Sequence, residues 1–284
     1  MILTNKTGLP DTFYRAVKRH THRGGDYSAS MLHNPVRQVL LVRRHDQEIE
    51  EDVSDRIWAL LGTAVHYILE KAEGAYELVE TYLEQEFLPN VTVSGTVDHY
   101  IDGTISDYKV TSAWSVLFGS RIPDWESQLN VYAFLFRQES IEVNQLQVVA
   151  ILRDWSRKKA YEDMAYPQGM ITVVPIRLWT YDEQYEYIMD RVEGFESYKD
   201  VPDDELPFCT DEERWKDPAK FAVMKNGRKS ALRVLDSEGA ARQYLDEKCD
   251  GDPKCYIEKR PSVARRCADY CAAAPFCNQY QGEL

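Results

Sequence analysis

The chain has 284 residues, 44% hydrophobic and 29% charged, with a formal net charge of −13. At roughly 100–200 residues per domain, such a length makes one large domain or two modest ones. The composition is that of a globular chain and excludes disordered and fibrous classes. No apolar run, Val39–Val42 and Val148–Leu152 among them, approaches the roughly 18 residues that a membrane span needs. The first residues show no charged region followed by an apolar stretch, so the expectation is a cytoplasmic protein with no membrane contact. Six cysteines in such a chain are expected to be reduced thiols or metal ligands rather than a disulfide scaffold. An acidic chain is a poor sequence-blind coat for nucleic acid, but it can bind phosphate where its basic residues are concentrated.

Basic residues recur near the start, at Arg15, Lys18, Arg19, Arg23, Arg37, Arg43 and Arg44. Over 54–87, Ile57, Leu60, Leu61, Val65, Ile68 and Leu69 recur at helical spacing and predict a helix that Pro89 and Asn90 stop. A run rich in β-branched and aromatic residues follows, split by Asp102-Gly103, which predicts a hairpin. Next come a helix from about Pro123 to Gln138, a buried strand in LQVVAILRDW, a strand near Ile171–Trp179 and an acidic helix over 181–199. A second hairpin turn is expected at Lys225-Asn226-Gly227-Arg228, then a helix from Ser237 to Lys248 and a cysteine-bearing tail. Pro202 and Pro207 flank an acidic loop, placing a boundary near 205 between a core (1–205) and a C-terminal subdomain (206–284). This order of elements predicts an α/β core with a mixed central sheet.

The Asp-Gly turn permits register arithmetic. In a two-residue hairpin centred there, paired residue numbers sum to 205, so Asp98 is expected to face Asp107. Two carboxylates that close repel unless a cation lies between them or one is protonated. Lys109 falls on the same face by the period of two. His66 lies on the preceding helix with Glu70 one turn on, and Gln128 and Tyr132 lie four apart on the following helix. A solvated hairpin face with a lone salt bridge is the competing reading of the three charges alone.

In this order the residues resemble the active site of the PD-(D/E)xK nuclease superfamily, and most of all its RecB-like exonuclease branch, with CRISPR-associated and phage members. The matching residues are Gly62 and His66 in LGTAVHYILE, Asp98 in GTVDHY, Asp107 and Lys109 in SDYKVT, and Gln128 and Tyr132 in SQLNVYA. Val97 stands where the superfamily name places proline. The resemblance implies a restriction-endonuclease-like core and a metal-dependent DNA nuclease. His66, Asp98, Asp107 and the carbonyl of Val110 would hold one or two divalent cations, Mg²⁺ or Mn²⁺. Lys109 would orient the attacking water, with Gln128 and Tyr132 positioning Lys109 or the DNA backbone. It further implies work in DNA processing or recombination, in a prokaryotic cell or a phage-infected host, with a helicase or recombination partner.

Residues 214–233 hold Arg214, Lys216, Lys220, Lys225, Arg228, Lys229 and Arg233 against one acid, Asp217. Centred on Asn226-Gly227, with Lys225, Arg228 and Lys229 nearest the turn, this reads as a wing on a phosphate backbone or as a solvated edge. Arg153 and Trp155 begin a second basic stretch, in which Trp155 stacks on an unpaired base or packs locally. Cys267, Cys271 and Cys277 fall within eleven residues. A similar C-terminal trio holds an iron–sulfur cluster in several RecB-like nucleases, whose first ligand lies upstream; here no cysteine precedes Cys209. Cys209 is the preferred fourth ligand over Cys249 and Cys255, for a 4Fe–4S cluster or Zn²⁺. The competing functions are a non-catalytic DNA-binding module and a metal-cluster protein that retain the nuclease fold.

Overall fold

The computed structural model describes residues 1–18, 24–72, 74 and 76–282; Arg19 and Arg23 of the basic set lie outside them. The chain forms two compact units, Met1–Val201 and Pro202–Leu284, a division a few residues before the boundary read from the sequence.

The first unit begins with β1 (Ile2–Thr4), α1 (Asp11–Lys18), β2 (Tyr27–Ser28), α2 (Ala29–Leu32), α3 (Val36–Arg44), β3 (Glu50–Asp52) and α4 (Ile57–Glu70). It continues through β4 (Leu78–Leu88), β5 (Val91–Ile101), β6 (Thr104–Thr111), α5 (Ala113–Leu117) and α6 (Ile122–Gln138). It closes with β7 (Gln145–Leu152), α7 (Arg157–Glu162), β8 (Ile171–Ile176) and α8 (Tyr181–Tyr198). These build a mixed α/β architecture whose central sheet runs β2-β5-β6-β7-β8, with β4 also paired to β5. The β2/β5 and β6/β7 pairs are parallel and the rest antiparallel. Asp102 and Gly103 have φ of +47° and +80°, the two left-handed positions that an Asp-Gly turn supplies at little cost. The register follows: Ile101 pairs Thr104, Tyr100 pairs Ile105 and His99 pairs Ser106.

Helix α6 is the core of the unit, buried from Ser127 to Phe136. Its Pro123 sits in the first turn, where a missing N–H costs nothing. Buried Asn130 is fully used: its Oδ1 accepts from Trp179 N–H and Gln184 Nε2, and its Nδ2 donates to the Glu126 and Arg177 carbonyls. That network ties α6 to the start of α8, itself begun by a reciprocal cap between Thr180 and Glu183.

The single helix read over 54–87 is instead α4 followed by β4. Leu83 and Phe87 pack on the core with exposed Glu84 and Glu86 between them. A spacing of four fits a period of two as well as one of 3.6, and the antiparallel partner β5 decides for the strand. The apolar positions of α4 also behave differently from a core face. None of its residues is buried, and Trp58 and Ile68 are 52% and 65% exposed.

The second unit contains β9 (Lys216–Asp217), β10 (Lys220–Lys225), β11 (Arg233–Leu235), α9 (Glu238–Cys249), β12 (Cys255–Arg260), β13 (Val263–Ala264) and α10 (Asn278–Gln281). Its sheet runs β11-β10-β12, with α9 packed on it through Ala241 and Cys249 against Val223. The second hairpin is not a two-residue turn. Val223 pairs Arg233, so a long connection joins the strands, and Asn226-Gly227 makes only its first bend, closed by Arg228 N–H to the Lys225 carbonyl. Gly-rich turn chemistry fixes a local bend; the strand partner, chosen by which side chains reach the α9 core, fixes the register.

Gly95 of β5 has a packing reason to lack a side chain. A Cβ there would lie 2.6 Å and 2.8 Å from ring carbons of Tyr132. Gly95→Ala should therefore destabilise the protein by about 1–3 kcal/mol through overpacking, measured by urea denaturation. Unchanged stability would mean that the Tyr132 ring is not held where the fold places it.

Candidate functional site

The site arises where β5 and β6 part. Strand β4 occupies one edge of β5 from Val91 to Tyr100, so β2, at Val93–Ser94, and β6, from His99, share the other edge. The β5/β6 ladder stops at His99 and Ser106, one rung short of the expected Asp98/Asp107 pair. From there β6 runs on with β7 as far as Thr111. Instead of a rung, the Tyr108 N–H donates to Asp98 Oδ2 at 2.7 Å. A carboxylate thus ends the ladder in place of a backbone carbonyl, which leaves its other oxygen free to face His66.

Both aspartates are buried, Asp98 7% and Asp107 1% exposed. Lys109 Nζ lies 2.7 Å from Asp107 Oδ2, yet neither Asp107 oxygen makes a well-aligned hydrogen bond. His66 reaches in from α4: its Nδ1 is 3.3 Å from Asp98 Oδ1 and 3.4 Å from Glu80 Oε1, and its Nε2 is 3.0 Å from the Tyr108 carbonyl. His66, Glu80 and Asp98 each offer a ligand atom within 4.8 Å of the others. The carbonyl that meets the imidazole is that of Tyr108, between Asp107 and Lys109.

The charges are strongly coupled. Hydrogen bonds that Asp98 and Glu80 accept from it push the His66 imidazole up to about 10 despite its partial burial. Burial raises the Asp107 carboxyl well above the ordinary carboxylate range, with Lys109 pulling against it and Asp98 adding to it. Burial alone would lower the Lys109 ammonium, but Asp107 and Asp98 reverse that and hold it up. An acid with unbonded buried oxygens, a second acid and an imidazole suit a hard divalent cation. A permanently charged lysine beside them is placed to neutralise developing negative charge, not to act as a base.

Gln128 Nε2 donates to the Tyr132 hydroxyl at 2.7 Å in the interior of α6. Burial raises the Tyr132 phenol well above its ordinary value, and the Asp107 and Asp98 charges add to the effect. These two residues therefore abut the acidic centre from behind and stay neutral. Glu70 turns away to Lys71 at 3.0 Å. Trp155 is half-buried against the core, with its Nε1 donating to the Pro167 carbonyl at 2.7 Å. Arg153 is exposed and lies over the Trp58 ring, 4.3 Å from its centroid.

In the second unit, four of the seven basic residues of the 214–233 segment are neutralised by acids that the fold brings to them. Arg214 and Lys216 share Asp211, Lys220 meets Asp236, and Lys225 meets Asp252 at 2.8 Å. Counting charge along the segment misses these three partners, all of which lie outside it. Arg228, Lys229 and Arg233 are exposed. Cys209, Cys267, Cys271 and Cys277 lie near enough for each of the last three to act on the first. Burial first, then Glu213 and those thiols, pushes Cys209 up to about 12. A reciprocal pair of hydrogen bonds between the Cys209 backbone and the Gln279 side chain, 2.9 and 2.8 Å, joins this segment to the tail. Cys249 and Cys255 form a separate pair at the junction of α9 and β12.

Glu80 and the Tyr108 carbonyl are the two groups that sequence reasoning missed. Reading 78–88 as a strand hairpinned at Pro89-Asn90 gives pair numbers summing to 179 and sets Thr81 against Asp98; the register shift between Glu86 and Leu88 changes the sum to 178 and sets 80 against 98.

No family model matches the sequence, and a search of the curated proteins returned no match. Among solved structures, the chain is similar to SSO0001 at 16% identity and a TM-score of 0.48, over 67% of this chain and 86% of that one. It is also similar to a phage-related exonuclease from Haemophilus somnus 129PT at 16% identity and a TM-score of 0.40, over 61% of this chain and 93% of that one.

Because the folded His66 pKa lies above its unfolded value, its contribution to stability is full below about pH 6.5 and is lost as pH rises through about 10. In EDTA, the thermal midpoint should fall between pH 7 and pH 10, and His66→Gln should flatten that fall. Parallel pH profiles for the two proteins would show that the imidazole does not carry this charge.

Proposed function

We propose that the protein is a divalent-metal-dependent DNA nuclease with a PD-(D/E)xK-type core of the RecB-like branch, acting as an exonuclease in DNA processing or recombination. The observation that carries this reading is the meeting of His66, Asp98, Asp107 and Lys109 at the point where β5 and β6 part, with the buried Asp107 carboxylate held, among the described residues, only by Lys109 at Oδ2 and its Oδ1 left without a partner. A protein that only binds DNA gains nothing from buried, opposed carboxylates, which repel each other and repel phosphate.

Asp98, Asp107 and His66 are the residues that would hold Mg²⁺ or Mn²⁺, with the imidazole tilting the preference toward Mn²⁺. When bound, the cation supplies a Lewis acid to the scissile phosphate and makes water a better nucleophile near neutral pH. Lys109, kept charged by Asp107, orients the attacking water and offsets charge that builds on the phosphate oxygens. Tyr132 and Gln128 hold the rear wall of the pocket and fix where Asp107 and Asp98 sit. Arg228, Lys229 and Arg233 are the unneutralised cations of the basic segment and contact phosphates. Cys209, Cys267, Cys271 and Cys277 take a 4Fe–4S cluster or Zn²⁺, losing their protons when the metal binds.

End-labelled linear duplex, circular and single-stranded DNA incubated with Mg²⁺, Mn²⁺ or EDTA should show metal-dependent loss of linear substrate. Asp107→Asn and Lys109→Met should each lower cleavage by at least about a thousandfold, in the range of losing one electrostatic stabiliser, while still binding DNA. Near-wild-type cleavage by either variant removes the catalytic assignment.

Anaerobically purified protein should carry stoichiometric iron with a brown chromophore, or stoichiometric zinc. Cys267→Ser or Cys271→Ser should lower the thermal midpoint more than Cys249→Ser. A metal-free protein whose six thiols all react under native conditions would rule the thiolate site out.

A further inference from the structure

We infer that Glu80 is a ligand of the cation at this centre, joining His66 and Asp98, so that the donor set differs from the one the sequence resemblance implies. This rests on the cation-dependent reading given above. The first support is position. Glu80 Oε1, His66 Nδ1 and Asp98 Oδ1 converge within 4.8 Å, whereas Asp107 is engaged by Lys109.

The second support is the backbone. Val79 pairs His99 and Thr81 pairs Val97 in an unbroken antiparallel register, and the Glu80/Asp98 rung between them is the one missing. No residue is inserted there. Instead Glu80 takes φ +46°, a left-handed conformation inside a strand, which costs free energy for any residue with a Cβ and is rare outside turns. Breaking a rung and bending the backbone brings Glu80 onto the imidazole that already faces Asp98, so that two carboxylates meet across one ring. Both costs are understandable where a cation joins the two groups. Glu77, three residues earlier, serves as an internal contrast: its carboxylate lies 3.5 Å from His99 Nε2 and stays outside the cluster.

With Glu80 added to His66, Asp98 and Asp107, the centre has three carboxylates where the sequence motif supplies two. The extra charge favours tight divalent binding and leaves Asp107 and Lys109 directed at the water and phosphate side.

The test is direct Mn²⁺ binding by calorimetry and by the electron paramagnetic resonance of free Mn²⁺, on the full chain without DNA. Glu80→Gln keeps the size and removes the charge; Glu80→Gly removes the side chain and accepts the left-handed backbone without strain. Both should bind Mn²⁺ about tenfold or more weakly, as changes around a metal usually do, and Glu77→Gln should bind like the unaltered protein. In EDTA the Glu80→Gly protein should melt no lower than the unaltered one, so that the lost affinity is not lost folding. If both Glu80 variants keep full affinity while Asp98→Asn loses it, the inference fails and the cation centre stands. Should the unaltered protein bind no Mn²⁺, both fall. Glu80-dependent Mn²⁺ binding without any DNA cleavage would keep the ligand and overturn the nuclease reading.

Discussion

The bond from the Tyr108 N–H to the Asp98 carboxylate is the interaction on which the rest of the site depends. A strand that leaves its neighbour must satisfy the backbone groups it exposes, and here an acidic side chain does so. The consequence is geometric. Strand β6 can continue beside β7 while β5 continues beside β4, and the wedge between them receives His66 from α4. Charge, backbone and helix placement are set by one residue, so a change at Asp98 would disturb the fold of the wedge as well as its chemistry.

The same wedge concentrates ionisable groups that elsewhere in a protein would be kept apart. Asp98, Asp107 and Glu80 face one imidazole and one ammonium. Buried pairs of this kind rarely gain net stability over apolar packing, because desolvation offsets much of the Coulomb attraction. Their cost is tolerated where the groups have other work, and strained backbone at Glu80 points in the same direction. Behind them the arrangement is rigid. Tyr132 lies against Gly95, and Gln128 bonds Tyr132, so the rear wall cannot shift without overpacking β5.

In the second unit, electrostatics and sequence density part company. The cluster of basic residues over 214–233 is largely internal bookkeeping of charge, with Asp211, Asp236 and Asp252 drawn in by the hairpin and by the loop after α9. What remains exposed is a smaller set near the bend. The cysteines divide in the same way: Cys209 is gathered with the tail trio through Gln279, and Cys249 is left with Cys255.

The Asp102-Gly103 turn, the pairing of His99 with Ser106, the long buried α6 and the mixed sheet were all legible in the sequence. Each rests on local chemistry: left-handed turn residues, a two-residue period, or an apolar run too long for a strand. His66, Asp98, Asp107 and Lys109 are singled out by the resemblance of their order to a known motif, and the fold brings them to one place. Tertiary structure decided the rest. Whether 78–88 is helix or strand depends on β5 lying beside it, since Leu83 and Phe87 satisfy both periods. Glu80 joins His66 only because that strand exists, and Lys225 is ion-paired only because Asp252 folds back to it. A sequence states which charges and periods are present; which distant group stands opposite each is settled by packing, because a one-residue change of register moves every side chain to the other face.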